Sequence, residues 1–412
     1  MKSPFRKDIQ YYKFCLYGFL KNQKFYEPFF LLFLLSKDIT YLQAGLLYSI
    51  KELTINLLEI PAGIIADSGG RRRSMLLSFI FYICSFALFF LASGYALLVL
   101  AIIIFAFGDV FRTGTHKAMI FDYLERNGWS AYKVQYYGNT RSWSQTGSAL
   151  SALLAALIVI LFNNYTAIFA FAIIPYMLNF INLLSYPGYL DGSTEKLKIK
   201  DFKQKLKDSV RSIIINLKQL SRIKLFLNSS LISGSFNASK DYLQPLILSM
   251  VVVFGSVKGL GIEDSSSLLV GLVYSFIFLL NSLASRMSGK AAKFLGNEIK
   301  GLNYTYLGFT IFLLGAALCF YLNFLYLALA LYILVYSIEN LRRPMAVSAI
   351  SSNSNKEHLA TCLSVDSQLK SLVTMVLSPI IGFFADRLSP GSGLMIPVVI
   401  LLALYSLVRL KK

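Results

Sequence analysis

Histidine is all but missing from this chain: His116 and His358 are its only two in 412 residues. They stand far apart in sequence. Neither a clustered-histidine centre nor a Ser/His/acid set can be assembled from them, so the sequence predicts no enzyme, no metal site and no bound cofactor. Cysteine is scarce as well. Cys15, Cys84, Cys319 and Cys362 fall singly within apolar segments, a pattern of small core residues with no disulfide framework. No Gly-x-x-x-x-Gly-Lys-Ser/Thr stretch occurs, which leaves ATP hydrolysis by the chain itself without a phosphate cradle. Charge is thin overall, at 15% of residues, and acids are outnumbered by bases 21 to 40. A soluble protein of this length would need far more surface charge.

What fills the chain instead is apolar length. Hydrophobic residues make up 56% of it, and runs long enough to cross a bilayer recur from end to end. Cutting at polar punctuation predicts twelve transmembrane helices, near 14–35, 41–66, 74–92, 95–122, 134–162 and 165–187, then 222–251, 265–288, 301–321, 324–349, 358–385 and 393–410. The first carries Lys21, Lys24, Glu27 and Pro28 with no small-residue cleavage pattern, and reads as a retained span.

Most of the 40 Lys and Arg residues fall in the tails and the even-numbered connections, and only 3 in the opposite connections. That asymmetry places both termini in the cytoplasm of a cell-membrane protein. It also accounts for the net charge of +19 without a nucleic-acid partner, since no basic, aromatic-interleaved soluble module is present.

The longest connection, 188–221, separates an N-terminal six-helix bundle (1–187) from a C-terminal one (222–412). Within it Ile199, Phe202, Leu206, Val210, Ile213, Leu217 and Leu220 recur every three or four residues between lysines. This is the pattern of a basic amphipathic helix tethered to inner-leaflet lipid.

The two sets of six share their punctuation. Gly63, Asp67 and Gly70 have the spacing of Gly289, Lys293 and Gly296; Asp109 and Arg112 match Glu339 and Arg342; Arg141 and Gln145 match Asp366 and Lys370 in spacing but not in charge. Three such pairs in one order indicate a duplicated unit, all-α, with a pseudo-twofold axis along the membrane normal.

With twelve spans, a long central connection and the stretch Gly63, Asp67, Gly70, Arg71, Arg72 between the second and third, the chain resembles the major facilitator superfamily of secondary transporters. The loop signature has the form Gly-x-x-x-Asp-x-x-Gly-Arg-Arg/Lys. The resemblance implies the fold and transport by alternating access. It further implies a latch in which Asp67 meets the N-terminus of the eleventh helix while Arg71 or Arg72 meets an acid ending the fourth, here Asp122. Gly63 would permit close helix approach and Gly70 a tight turn.

An ionisable side chain at the bilayer centre costs about 2.5–3.5 kcal/mol, so each one needs a partner or a wet cavity. In the second span Tyr48, Glu52, Asn56, Glu59 and Gly63 share a face, with Lys51 turned away from it. Glu27, Glu52, Asp109, Arg112, Arg141, Gln145, Asn237, Asp241, Glu339, Arg342, Asp366 and Lys370 are the candidates for binding solute or carrying a proton. Register-fixing salt bridges are an equal alternative for Arg141 and for Asp366 with Lys370. His116 reads as readily as a packing histidine.

An acid beside an arginine can serve as a proton switch, which Asp109 and Arg112 supply. The function expected is therefore proton-driven secondary transport of a small organic solute by a monomer, using the proton-motive force and no cofactor. Export is placed slightly ahead of uptake, although the fifth helix, "SWSQTGSALSALLAA", lacks the Gly-x-x-x-Gly-Pro-x-x-Gly-Gly stretch of drug exporters. Proton- or sodium-coupled uptake of a polar nutrient is the alternative, and a non-transporting scaffold or sensor the competitor from another class.

Overall fold

The computed structural model describes residues 6–192, 204, 207, 220–257, 259–352 and 359–410. The amphipathic pattern of the central connection and His358 lie almost wholly outside these residues. Every regular element among the described residues is helical. Among the described residues nine helices are long and apolar enough to cross a membrane, and they correspond to the third to sixth and eighth to twelfth spans. The other three expected spans are helical too, each with an interruption or a cost. The second is one helix, Tyr41–Gly69, whose apolar character is diluted by Lys51, Glu52 and Glu59. The first is broken into Ile9–Lys21 and Phe30–Leu35, and the seventh into Leu220–Ser239 and Leu243–Phe254.

The breaks follow from local chemistry. Pro28 has no N–H and restricts the residue before it, which disfavours a continuous helix there. In the seventh span a single 3-10 turn, Lys240–Tyr242, precedes Pro245. A third break falls in the fourth span, between Tyr95–Arg112 and Thr115–Arg126, where Gly114 takes a φ of 78° that other residues rarely adopt. Sequence patterning had these three spans continuous. In an apolar solvent the backbone groups freed at a break must be satisfied by neighbours. The Gln244 side chain accepts from Leu31 N at 2.9 Å and Leu32 N at 3.2 Å, which caps the outer piece of the first span. The Lys240 carbonyl accepts from Tyr336 Oη at 2.9 Å, and the Ser239 carbonyl from Tyr332 Oη.

The chain forms two compact units that do not follow the two sets of six. The first comprises Met1–Glu27 and Thr54–Lys207, and the second Pro28–Leu53 and Asp208–Lys412. The reason lies in the packing of Pro28–Leu53 within the second unit. Asp386 accepts from Tyr41 N and Leu42 N, both at 2.8 Å, and so caps the start of the second span. Below it, a Cβ on Gly382 would collide with the Tyr41 carbonyl and one on Gly45 with the Ser378 carbonyl. Ser49 Oγ then donates to the Met375 carbonyl at 2.5 Å. Lipid removes the hydrophobic drive between helices, so such close glycine contacts and interhelical hydrogen bonds supply the adhesion.

The first unit uses the same device at Gly108, where a Cβ would come within 2.8 Å of the Tyr82 ring and Ser78 Oγ donates to the glycine carbonyl at 2.7 Å, and again between two further spans. A Cβ on Gly147 would come within 2.6 Å of the Phe19 carbonyl, and one on Gly18 within 2.6 Å of Ser144 Oγ, which draws the first span against the fifth. The rest of its core is aromatic. Tyr176 meets Phe86 edge-on at 4.8 Å and Tyr82 at 5.3 Å, and Phe89 stacks on Phe169 at 4.8 Å. Cys15 and Cys362 are buried as expected, whereas Cys84 is exposed and Cys319 half-buried. Cys84 lies on the outward face of its span, a place periodicity alone does not distinguish from the core.

Candidate functional site

Three spans of the first unit bring polar side chains to one cavity of about 190 Å³. Tyr17, Lys21 and Asn22 come from the first span, Arg112, His116 and Lys117 from the fourth, and Tyr137, Arg141 and Ser144 from the fifth. Steps of four along the first and fifth spans, 17 to 21 and 137 to 141, put these groups on one face of each. The Gly114 break sits in the wall, between Arg112 and His116.

Arg112 and Asp109 are held together with a third partner that spacing does not reveal. Arg112 Nη2 lies 3.3 Å from Asp109 Oδ1, Tyr82 Oη donates to the same oxygen at 2.5 Å, and Arg112 Nε donates to Tyr82 Oη at 2.9 Å. The acid thus accepts from a guanidinium and a phenol at once, a charge-assisted set that fixes the arginine at the cavity edge. Glu27 pairs with Lys24 at 3.2 Å in the non-helical stretch before Pro28.

Lys21 and Arg141 are different. Neither side chain makes a hydrogen bond or an ion pair among the described residues, and both line the cavity. Lys117 lies over the rings of Phe121 and Tyr137, at 5.4 and 5.5 Å. His116 is a packing residue: it stacks on Tyr17 at 3.6 Å, meets Phe14 edge-on and shares a 3.3 Å hydrogen bond with Tyr186 Oη. Gln145 is half-buried and outside the lining.

The matching positions of the second unit are arranged otherwise. Arg342 does not pair with Glu339. Its guanidinium, 1% exposed, donates to the carbonyls of Asn228 at 2.8 Å and Leu302, to Thr305 Oγ1 at 3.1 Å, and to Asn228 Oδ1. Glu339 accepts from Ser233 Oγ at 2.6 Å, and its other oxygen is buried without a hydrogen-bond partner. Lys370 and Asp366 form an ion pair of 2.5 Å, and Lys240 and Asp241 one of 2.8 Å. Glu52 accepts from Ser371 Oγ, and its other oxygen lies 3.8 Å from Lys51. Asn237 is exposed.

In the loop signature, Gly70 has a φ of 108°, and its counterpart Gly296 one of 102°, so the repeat holds at the level of backbone conformation. Gly63 is corrected: a Cβ there would meet nothing within 4 Å, and its glycine is not required by close packing. The expected pairing of Arg71 or Arg72 with Asp122 is not made in this structure. Arg71 lies 3.8 Å from Asp67, Asp122 lies 3.3 Å from Arg126, and Arg72 Nη1 donates to the Tyr186 carbonyl at 2.6 Å. Asp122 finds its base one turn along the same helix, and Asp67 finds Arg71 just across the Gly70 turn; such local pairs cost less ordering than a bridge between distant helices. The carbonyl of Tyr186, just past the helix Ala167–Leu184, is an orphan that Arg72 satisfies.

The family model of the Major Facilitator Superfamily matches residues 22–369. The chain belongs to this superfamily. A stretch of 92 residues is 35% identical to the uncharacterized MFS-type transporter YxaM of Bacillus subtilis (strain 168), a match that spans 22% of this chain and 23% of that protein. Solved structures agree over the whole length at low identity. The nucleoside transporter NupG has a TM-score of 0.70 at 11% identity over 98% of this chain and 97% of the other; for a D-xylose-proton symporter the values are 0.63, 13%, 97% and 95%. At such identities the likeness speaks for the superfamily fold alone.

Within a superfamily member, the residues that sequence reasoning missed are instructive. Tyr82 carries no charge and sits on another span, so only the fold brings it to Asp109. Lys21 did carry a signal: it is a lysine within an apolar span, four residues after Tyr17 and three before Lys24, but it was counted only as punctuation. Lys117 was overlooked because it follows the fourth-span stripe by one residue.

Proposed function

We propose that this superfamily member is a secondary active transporter that moves a small organic solute by alternating access, driven by the proton gradient. It acts as a monomer in the cell membrane with both termini cytoplasmic. Export is taken ahead of uptake of a polar nutrient on the family resemblance alone. The observation that carries the coupling is the Asp109 carboxylate shared by Arg112 and Tyr82 at the cavity edge. Ionised, Asp109 neutralises Arg112; protonated, it lets the guanidinium turn to a ligand. A proton and a solute are thereby linked through one arginine.

A screen of the purified protein by thermal shift against a metabolite and drug library supplies the solute, because a ligand of the folded state raises its stability. Proteoliposomes then report solute-dependent proton flux, and the sign of the gradient that drives accumulation gives the direction. Asp109→Asn is expected to abolish the pH dependence of flux. Flux and pH dependence both intact in that variant would sink the coupling assignment.

Asp67, Gly70, Arg71, Arg72 and Asp122 are proposed as the cytoplasmic gate, with Asp67 accepting from the N-terminus of the eleventh span and Arg71 or Arg72 reaching Asp122 in the outward-open state. The short-range partners these residues have here are ones a gate would exchange. Distance measurements across the cytoplasmic face are expected to shift toward inward-open in Asp67→Asn and Asp122→Asn; an unchanged distribution contradicts the gate.

A further inference from the structure

The cavity between the first, fourth and fifth spans is lined by four basic side chains, Lys21, Arg112, Lys117 and Arg141, and by no carboxylate. The two acids close by are occupied, Asp109 by Arg112 and Tyr82 and Glu27 by Lys24. Lys21 and Arg141 have no acceptor among the described residues. Arg141 and Lys117 are exposed and Lys21 and Arg112 half-buried, and basic groups gathered with no carboxylate among them raise a positive local potential that calls for a counter-charge. An anionic ligand supplies it well.

The surroundings suit the end of a small molecule. Tyr17, Asn22, Thr140 and Ser144 add neutral hydrogen-bonding groups, and Phe14 and Ile120 an apolar wall. The close glycine contacts of Gly18 and Gly147 hold the first span to the fifth and so hold Lys21 and Arg141 in one fixed wall. The volume is below the roughly 300–1,000 Å³ of sites for drug-sized ligands, so the cavity takes a metabolite or the head of something longer.

We infer that this cavity binds the anionic group, carboxylate or phosphate, of a small organic solute, with Lys21 and Arg141 as its basic side chains and Arg112 as the one that Asp109 releases. The inference rests on the transport reading and names the substrate class for it.

The test reads the sign of the cavity without knowing the solute. Ser144→Cys places a thiol in the wall of the otherwise intact chain, and mass spectrometry of the peptide reports its modification separately from the four native cysteines. An anionic methanethiosulfonate (sulfonatoethyl) is compared with a cationic one (trimethylammonium-ethyl) on protein in phosphatidylcholine nanodiscs. The anionic reagent is expected to react about tenfold faster relative to a free thiol, and this preference to fall toward unity when Lys21→Gln and Arg141→Gln are added. Lys21→Arg is expected to keep it, which separates charge from damage to the fold.

Inorganic phosphate or succinate is expected to slow the anionic reagent saturably, while glycerol does not. Equal or faster reaction of the cationic reagent overturns the inference, as does an unchanged preference in the neutralised variants. Protection that requires phosphatidylglycerol in the nanodisc, with none from phosphate or succinate, makes the occupant a lipid headgroup and also overturns it. No gradient is applied, so the result is independent of transport. An anion preference in a protein that gives no solute-dependent flux would leave the cavity assigned and reject the transport reading alone.

Discussion

The two compact units hold charged residues at corresponding positions and use them in opposite ways. In the second unit Arg342 is enclosed by four acceptors, and Lys370 and Lys240 are each closed by an adjacent acid. In the first, Arg112 shares its acid with a tyrosine at the edge of a cavity, and Lys21 and Arg141 face that cavity with no hydrogen bond or ion pair to their side chains among the described residues. Duplication preserved the spacing of the charges, and the neighbours then decided their work. Asn228, Leu302 and Thr305 make Arg342 a strut, whereas the break at Gly114 leaves Arg112 beside open space.

The largest effect that could break this comparison is at Arg342. Arg342→Gln leaves the Leu302 and Asn228 carbonyls short of donors, at a cost of about 2–4 kcal/mol. We expect a lower unfolding temperature with ligand response retained. Arg112→Gln should show the reverse: stability within about 1 kcal/mol of the parent, because the site is open to water, and loss of solute response. Equal losses of stability in the two variants would erase the contrast.

Next in size is the glycine seam of the second unit. Gly45→Val or Gly382→Val drives a side chain into the backbone of the facing helix, a misfit of about 1–3 kcal/mol. Thermal unfolding in detergent should show it, and the same substitution at Gly63, which faces open space, should be near neutral.

Smaller again are the turns. Gly70→Ala and Gly296→Ala force alanine to a φ above 100°, and each is expected to destabilise by about 1–2 kcal/mol. Matching losses would sharpen the structural repeat; a loss at one position only would weaken it. The smallest stability change is expected at Lys21→Gln, within about 0.5 kcal/mol, since its side chain makes no hydrogen bond or ion pair among the described residues.

The fold was largely legible in the sequence because apolar length and the side preference of lysine and arginine are dictated by the bilayer itself. Nine spans appear as single apolar helices, or as one interrupted helix in the case of the fourth. The first and seventh spans were legible as spans but not as broken ones. Pro28 and Pro245 marked the places, yet whether a proline kinks a helix or divides it depends on who satisfies the freed groups, here Gln244, Tyr332 and Tyr336. Those partners lie far away along the chain.

The site was legible in part. Asp109 with Arg112 was readable from spacing, as was the pair Asp366 with Lys370. The role of Arg342 was not, because nothing in Glu-x-x-Arg announces that the arginine turns toward Asn228. Nor was the membership of Pro28–Leu53 in the second unit, which rests on backbone approaches at Gly45 and Gly382 that leave no mark in hydropathy.

One measurement bears most directly on the division between the halves: the rise in unfolding temperature with inorganic phosphate, in the parent, in Lys21→Gln/Arg141→Gln and in Asp366→Asn/Lys370→Met. Phosphate stabilises proteins generally by exclusion from their surface, a contribution that is linear and common to all three. A saturable rise on top of it, present in the parent and in Asp366→Asn/Lys370→Met and absent in Lys21→Gln/Arg141→Gln, is the result expected. A saturable rise of equal size in all three would contradict the account, since the cations of the first unit would then have no special claim on an anion.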